Sequence, residues 1–133
     1  MRRSTDAAAH PPPLPMTGSG DPVRKTTLRT LAASHCRRGA VRLSRREIRT
    51  LLDALPGWSL RGSRIEKTFA FANYHETIAF VNALAWIAHR EDHHPDLAVG
   101  YDRCRVAYST HDAGGVTRND CICAARIELL QAA

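Results

Sequence analysis

Two histidines stand side by side at positions 93 and 94 in HREDHHP, His89 precedes them on the same run, and His111 follows in YSTHDAGG. Histidine is the side chain that changes charge near neutral pH, so such a cluster points to proton transfer, metal binding or both. His89 and His93 would project from one face of a helix, a spacing that can present two zinc ligands. The run lacks the glutamate that follows the first histidine in zinc metalloproteases, and a metal would need a third ligand from His94, His111 or Asp120. Imidazoles gathered at one edge of a sheet can instead give and accept protons unaided. The expected site is therefore an acid–base cluster of His93, His94 and His111 with no metal and no cofactor. His10, His35 and His75 read as ordinary polar residues. Asp120 closes Thr117-Arg118-Asn119-Asp120, a helix-start pattern with an acid in the first turn, so it reads as a cap first and a pocket residue second.

The elements that must hold these residues are legible from about Leu43. Ser44 and Glu47 form a capping-box pattern ahead of Ile48, Leu51, Leu52 and Leu55, and Pro56-Gly57 ends that helix. A hairpin follows, with a short strand near Trp58, a turn near Gly62, and a second strand in which Ile65, Lys67, Phe69 and Phe71 share one face. Asn73 can cap a long helix, YHETIAFVNALAWIAHRE. Its apolar residues make two stripes: Ile78, Val81, Ala85 and Ala88, then Phe80, Leu84 and Ile87. So broad an apolar girth suggests packing on a sheet and on a partner subunit. Pro95 favours extended backbone at His94, which would turn His93 and His94 into one pocket with His111. DLAVGY and CRVAYST read as strands joined near Asp102, HDAGGV as a loop. A last helix from Thr117 would turn Ile122, Ala125 and Leu129 inward. The order is α-β-β-α-β-β-α, an α+β fold with a four-stranded antiparallel sheet and helices on one face.

Charge divides the chain. Residues 1–43 hold eight Lys/Arg against two Asp, whereas residues 44–133 hold eleven of each sign. The net charge of +6 thus belongs to the N-terminal third, and a basic nucleic-acid face on the domain is not expected. HPPPLPMTGSGDP and the lack of any period before Leu43 mark residues 1–40 as a disordered basic arm, with the domain at 41–133. Three readings of the arm remain open: a real tail, an organelle transit peptide, or a start placed upstream of Met16 or a later codon. It is expected to be dispensable for folding and activity. Cys36, Cys104, Cys121 and Cys123 lack zinc-site spacing, and reduced, buried thiols in a cytoplasmic protein are expected. No apolar run reaches the roughly 18 residues of a membrane span.

The stretch HREDHHPDLAVGYDRCRVAYSTHDAGGVTRND resembles the signature of the pterin-4a-carbinolamine dehydratase family. His89, His93-His94-Pro95, Tyr101, His111 and Asp120 fall at the signature's positions, and RLSRREIRTLLDALPGWSL resembles the family's first helix and strand. The likeness covers residues 42–131; His89 stands where many members carry Glu, and the 40-residue arm has no counterpart in the minimal domain. The resemblance implies dehydration of 4a-hydroxytetrahydrobiopterin to quinonoid dihydrobiopterin in tetrahydrobiopterin recycling. It implies His93 and His111 as the acid–base pair and His94 as the main pterin contact. Asp120 would orient an imidazole, with His89 and Tyr101 as further substrate contacts. It also implies homodimers or homotetramers. Two alternatives accompany it: a non-catalytic dimerisation cofactor, as some members are, or action on another, molybdopterin-related pterin.

Overall fold

The computed structural model describes residues 26–131. Its elements are α1 (Leu28–Ala32), α2 (Arg45–Leu52), β1 (Ser59–Arg61), β2 (Arg64–Ala70), α3 (Tyr74–Glu91), β3 (Asp96–Val99), β4 (Arg103–Tyr108) and α4 (Arg118–Gln131). The strands pair antiparallel in the order β1-β2-β4-β3. This is the expected α+β succession with one additional short helix in front.

Strand alternation sets the layers. Ile65 lies opposite Tyr108 and Phe69 opposite Cys104, and these four with Val106 are buried while Thr68, Arg103 and Arg105 are exposed. Helices therefore cover one face only. Phe69 carries the centre of the core, with ring centroids 4.7 Å from Phe80 and 6.1 Å from Trp58. Lys67 belongs to the same inward row, and its ammonium meets the Glu128 carboxylate of α4 and the Pro56 carbonyl. Glu128 also accepts the Trp58 indole N–H at 2.8 Å, so the charge that β2 carries inward is neutralised and hydrogen-bonded.

Two helices differ from expectation. The inward stripe of α3 is Thr77, Phe80, Leu84 and Ala88. Ala88 thus joins the Phe80 stripe, Ala85 is exposed, and Ile78, Val81 and Ile87 form half-buried shoulders. The outward side shows Trp86, 61% exposed. In α4, Leu129 is exposed, while Asn119 through Ala125, Ile127 and Glu128 are all buried. A helix buried on most of its circumference has no apolar stripe to read, because α1 and α3 both pack against it.

The arm expected over residues 1–40 is corrected for its described part. Thr27 caps α1 with a complete capping box, and Leu31 is fully buried against α4. From Ser34 to Ala40 the chain forms a strap over α4. The Arg37 N–H donates to Asn119 Oδ1 at 3.0 Å, the Asn119 amide donates back to the Arg37 carbonyl at 2.8 Å, and Arg126 donates to the Ser34 carbonyl at 2.8 Å. Residues 1–25 lie outside the described residues. A chain begun at Val41 would uncover α4 and delete Leu31, and burying one leucine is worth about 1.5–3 kcal/mol. Its melting midpoint, followed by circular dichroism, should fall by about 10 °C or more. An unchanged midpoint would show that the strap adds nothing to the fold.

Candidate active site

Helix α3 stops at Asp92, which sits in the left-handed region at φ 49°. The His93 N–H then donates back to the Ala88 carbonyl at 3.0 Å, an αL helix end that reverses the chain. The reversal carries the His93 ring inward over Tyr108, with centroids 5.3 Å apart and planes at 16°. There His93 Nε2 meets Asp120 Oδ1 at 2.5 Å, with the two side chains 12% and 0% exposed. The other carboxylate oxygen, Oδ2, accepts the Thr117 N–H at 2.8 Å and the Thr110 hydroxyl at 2.9 Å. Asp120 therefore both caps α4 and, fully buried itself, holds an imidazole.

An ionised carboxylate can only accept, so His93 carries a proton on Nε2 and keeps Nδ1 as the nitrogen free to take one. Tyr108 closes the back of the ring, its hydroxyl 3.3 Å from the His93 carbonyl. Burial pushes the Tyr108 phenol well above its ordinary range, so it stays a neutral wall rather than a proton source. Asp120 is held by His93, the Thr117 N–H and the Thr110 hydroxyl, and the His93 ring by Asp120 and the stacked Tyr108.

His93 and His94 do not enter one pocket. Successive residues of extended chain point to opposite sides, and His94 instead lines a cleft of about 320 Å³ with His111, Asp96 and Thr110. His93 opens on a second cleft, about 770 Å³, walled by Cys36, Arg37 and Arg38 of the strap and by Asp112 and Thr110. Thr110 lines both and divides them. His111 lies in a short 3₁₀ turn, His111–Ala113, ended by Gly114 at φ 73°. His89 is exposed, its ring 6.1 Å from Trp86. Tyr101 is 65% exposed and stacks on Tyr74 at the first turn of α3. His93 follows the last turn of that helix, whose 18 residues span about 27 Å at 1.5 Å each. Within one chain Tyr101 is therefore remote from the histidines. His35, read as an ordinary polar residue, bonds Glu91 at 2.9 Å, and His75 is exposed.

The sequence reading passed over Thr110, Asn119 and the strap. Only the spacing Thr110 to Asp120 hinted at the first, and nothing local marks a contact between residues 37 and 119. No group of three or more His, Cys, Asp or Glu side chains poised for a metal ion occurs among the described residues.

Comparison with known proteins places the chain in a family. Residues 41–130 match the family pattern of pterin 4 alpha carbinolamine dehydratase, and the chain belongs to that family. A protein of Nitrosospira multiformis, provisionally named as this dehydratase, is 53% identical over 108 residues, covering 79% of this chain and 96% of that one. One from Chromobacterium violaceum with the same provisional name is 61% identical over 83 residues, 62% of this chain and 77% of that one. Among solved structures, a transcriptional coactivator/pterin dehydratase from Brucella melitensis superposes with a TM-score of 0.64. It is 32% identical and covers 67% of this chain and 97% of that one.

Proposed function

We propose that this chain is a 4a-hydroxytetrahydrobiopterin dehydratase that expels water to give quinonoid dihydrobiopterin, returning the pterin to a reducible form. The observation that carries this reading is the buried His93–Asp120 pair at a cleft wall, inside the stretch that matches the family. Loss of water from a carbinolamine needs a proton given to the departing hydroxyl and one taken from the adjacent ring N–H. Groups titrating near neutrality do both, and each such transfer is worth about 10²–10⁴-fold. His93 Nδ1, its ring oriented by Asp120, takes one of these steps. His111, across Thr110, takes the other, and His94 holds the pterin from the same small cleft. No step calls for a metal, so exhaustive chelation should leave the rate unchanged. The deciding assay follows absorbance as 4a-hydroxytetrahydrobiopterin breaks down with purified protein against buffer alone. A rate equal to the buffer background would sink the proposal.

Self-association is part of this reading. Edge strand β3 is exposed along its whole length, with Leu97 and Val99 at 36% and 44%, and Trp86 and Tyr74 stand open on α3. An uncovered edge beside open aromatics is a surface that a second copy can cover. Sedimentation at micromolar concentration should show a dimer or larger species, and a monomer would contradict it. The Brucella relative is named a transcriptional coactivator as well as a pterin dehydratase, which makes a binding role the second reading, one that the exposed surface favours. Full dehydratase activity in a Trp86→Glu variant that no longer self-associates would separate the two roles.

A further inference from the structure

The strap carries one reactive group that the proposed chemistry does not use. Cys36 Sγ lies 3.5 Å from Cys123 Sγ of α4, across a sequence separation of 87 residues. Cys36 is partly exposed and lines the same cleft as His93, whereas Cys123 is fully buried. The Cys36 backbone is held in place, its N–H donating to Glu91 Oε2 at 3.3 Å. Glu91 in turn is fixed by Arg126 at 3.0 Å.

We infer that Cys36 and Cys123 form an oxidation site, a dithiol that a hydroperoxide entering the cleft converts to an intrachain disulfide pinning the strap to α4. Van der Waals contact between two sulfurs must shorten to a bond of about 2.05 Å, a movement within the swing of a half-exposed cysteine side chain. Cys36 reacts first because it alone of the two reaches solvent. Cys36 gives up its proton and its thiolate attacks one peroxide oxygen; the O–O bond breaks, the leaving hydroxide takes up that proton as water, and Cys36 becomes a sulfenic acid. The Cys123 sulfur then attacks the sulfenyl sulfur; the S–O bond breaks, and the leaving hydroxide takes the Cys123 proton as a second water. Two thiols lose two electrons and one peroxide gains them. Hydrogen bonding to Cys36, then burial, holds the Cys123 thiol far above its ordinary range, which keeps it from taking the first step.

The other two cysteines are set apart. Cys104 and Cys121 are fully buried, and burial pushes Cys121 up to about 12. The pair also adjoins the proposed site, because Cys36 lines the cleft on which His93 opens.

The test is thiol mapping of the full chain after titration with hydrogen peroxide. Two of the four thiols should disappear together, with a crosslink joining the Cys36 peptide to the peptide shared by Cys121 and Cys123. Cys121→Ser should keep that crosslink and Cys36→Ser should abolish it. The half-exposed Cys36 site makes the second variant safe to fold, and the wild-type map stands without either. Because the bond closes a long loop, the oxidised chain should melt higher than the reduced one by about 10 °C. Overoxidised Cys36 beside an alkylatable Cys123, a crosslink only between chains, or an oxidised chain melting no higher would each overturn the inference.

Discussion

Asp120→Ala should lower dehydratase turnover by about 10²-fold or more and cost about 3 kcal/mol of stability or more. The two effects share one origin. The fully buried carboxylate satisfies the Thr117 N–H, the Thr110 hydroxyl and His93 Nε2. Alanine leaves all three donors facing a void, and removing one partner of a buried charged contact costs about 3–5 kcal/mol. Freed of its acceptor, the imidazole can carry its proton on either nitrogen, so the ring no longer presents Nδ1 reliably as a base. Asp120→Asn separates the contributions. Its carbonyl can still accept the Thr117 N–H, so stability should recover most of the loss. Its amide would donate toward His93 Nε2, however, and drive the proton to Nδ1, the wrong tautomer. Turnover should then stay at least about 10-fold low while the melting midpoint recovers, read by parallel assays and thermal melts. Near-normal turnover in the asparagine variant would show that tautomer control by Asp120 is not part of catalysis.

The case of Asp120 also shows which features sequence could reveal. Its capping role was legible because Thr117 lies three residues away, and α3 was legible because Asn73 can cap a continuous apolar pattern. Local signals of this kind act within one turn of chain. The bond from Asp120 to His93 spans 27 residues and was reached only through the family spacing. Lys67 was placed on the apolar face of its strand, but no local signal marked its partner Glu128, 61 residues on. α1 escaped notice because five residues are too few to display a helical period, although Leu31 contributes to the core. The inward face of α4 was read correctly at Ile122 and Ala125 but not at Leu129, because a helix covered on most sides shows little contrast between faces. The separation of His93 from His94 was physically available beforehand, since adjacent residues in extended chain diverge. The expectation of a single pocket gave the proline more steering than its backbone restriction provides.

That separation sharpens the largest expected effects, those of the histidines. His93→Ala and His111→Ala should each reduce the turnover rate by about 10²-fold or more, because each removes one of the two proton-transfer partners in the proposed elimination. His94→Ala should mainly raise the Michaelis constant, as expected for a contact made equally to bound substrate and transition state. With His93 on the strap cleft and His94 with His111 on the smaller one, a pterin reaching both proton-transfer groups must lie across Thr110. Its two proton transfers would then belong to one event. In that case the His93→Ala/His111→Ala double variant should lose far less than the product of the single losses, since a concerted elimination deprived of either partner is already impaired. Two independent sites would instead give multiplicative losses. Replacing Thr110 by valine should perturb both clefts at once, and it removes one donor to Asp120, so its loss should resemble that of His93→Ala more than that of His94→Ala. Rates are read against the uncatalysed dehydration in buffer. If the triple alanine variant at His93, His94 and His111 dehydrated substrate as fast as the wild type, the histidine cluster would not be the active site, and the buried Asp120 contact would be purely structural.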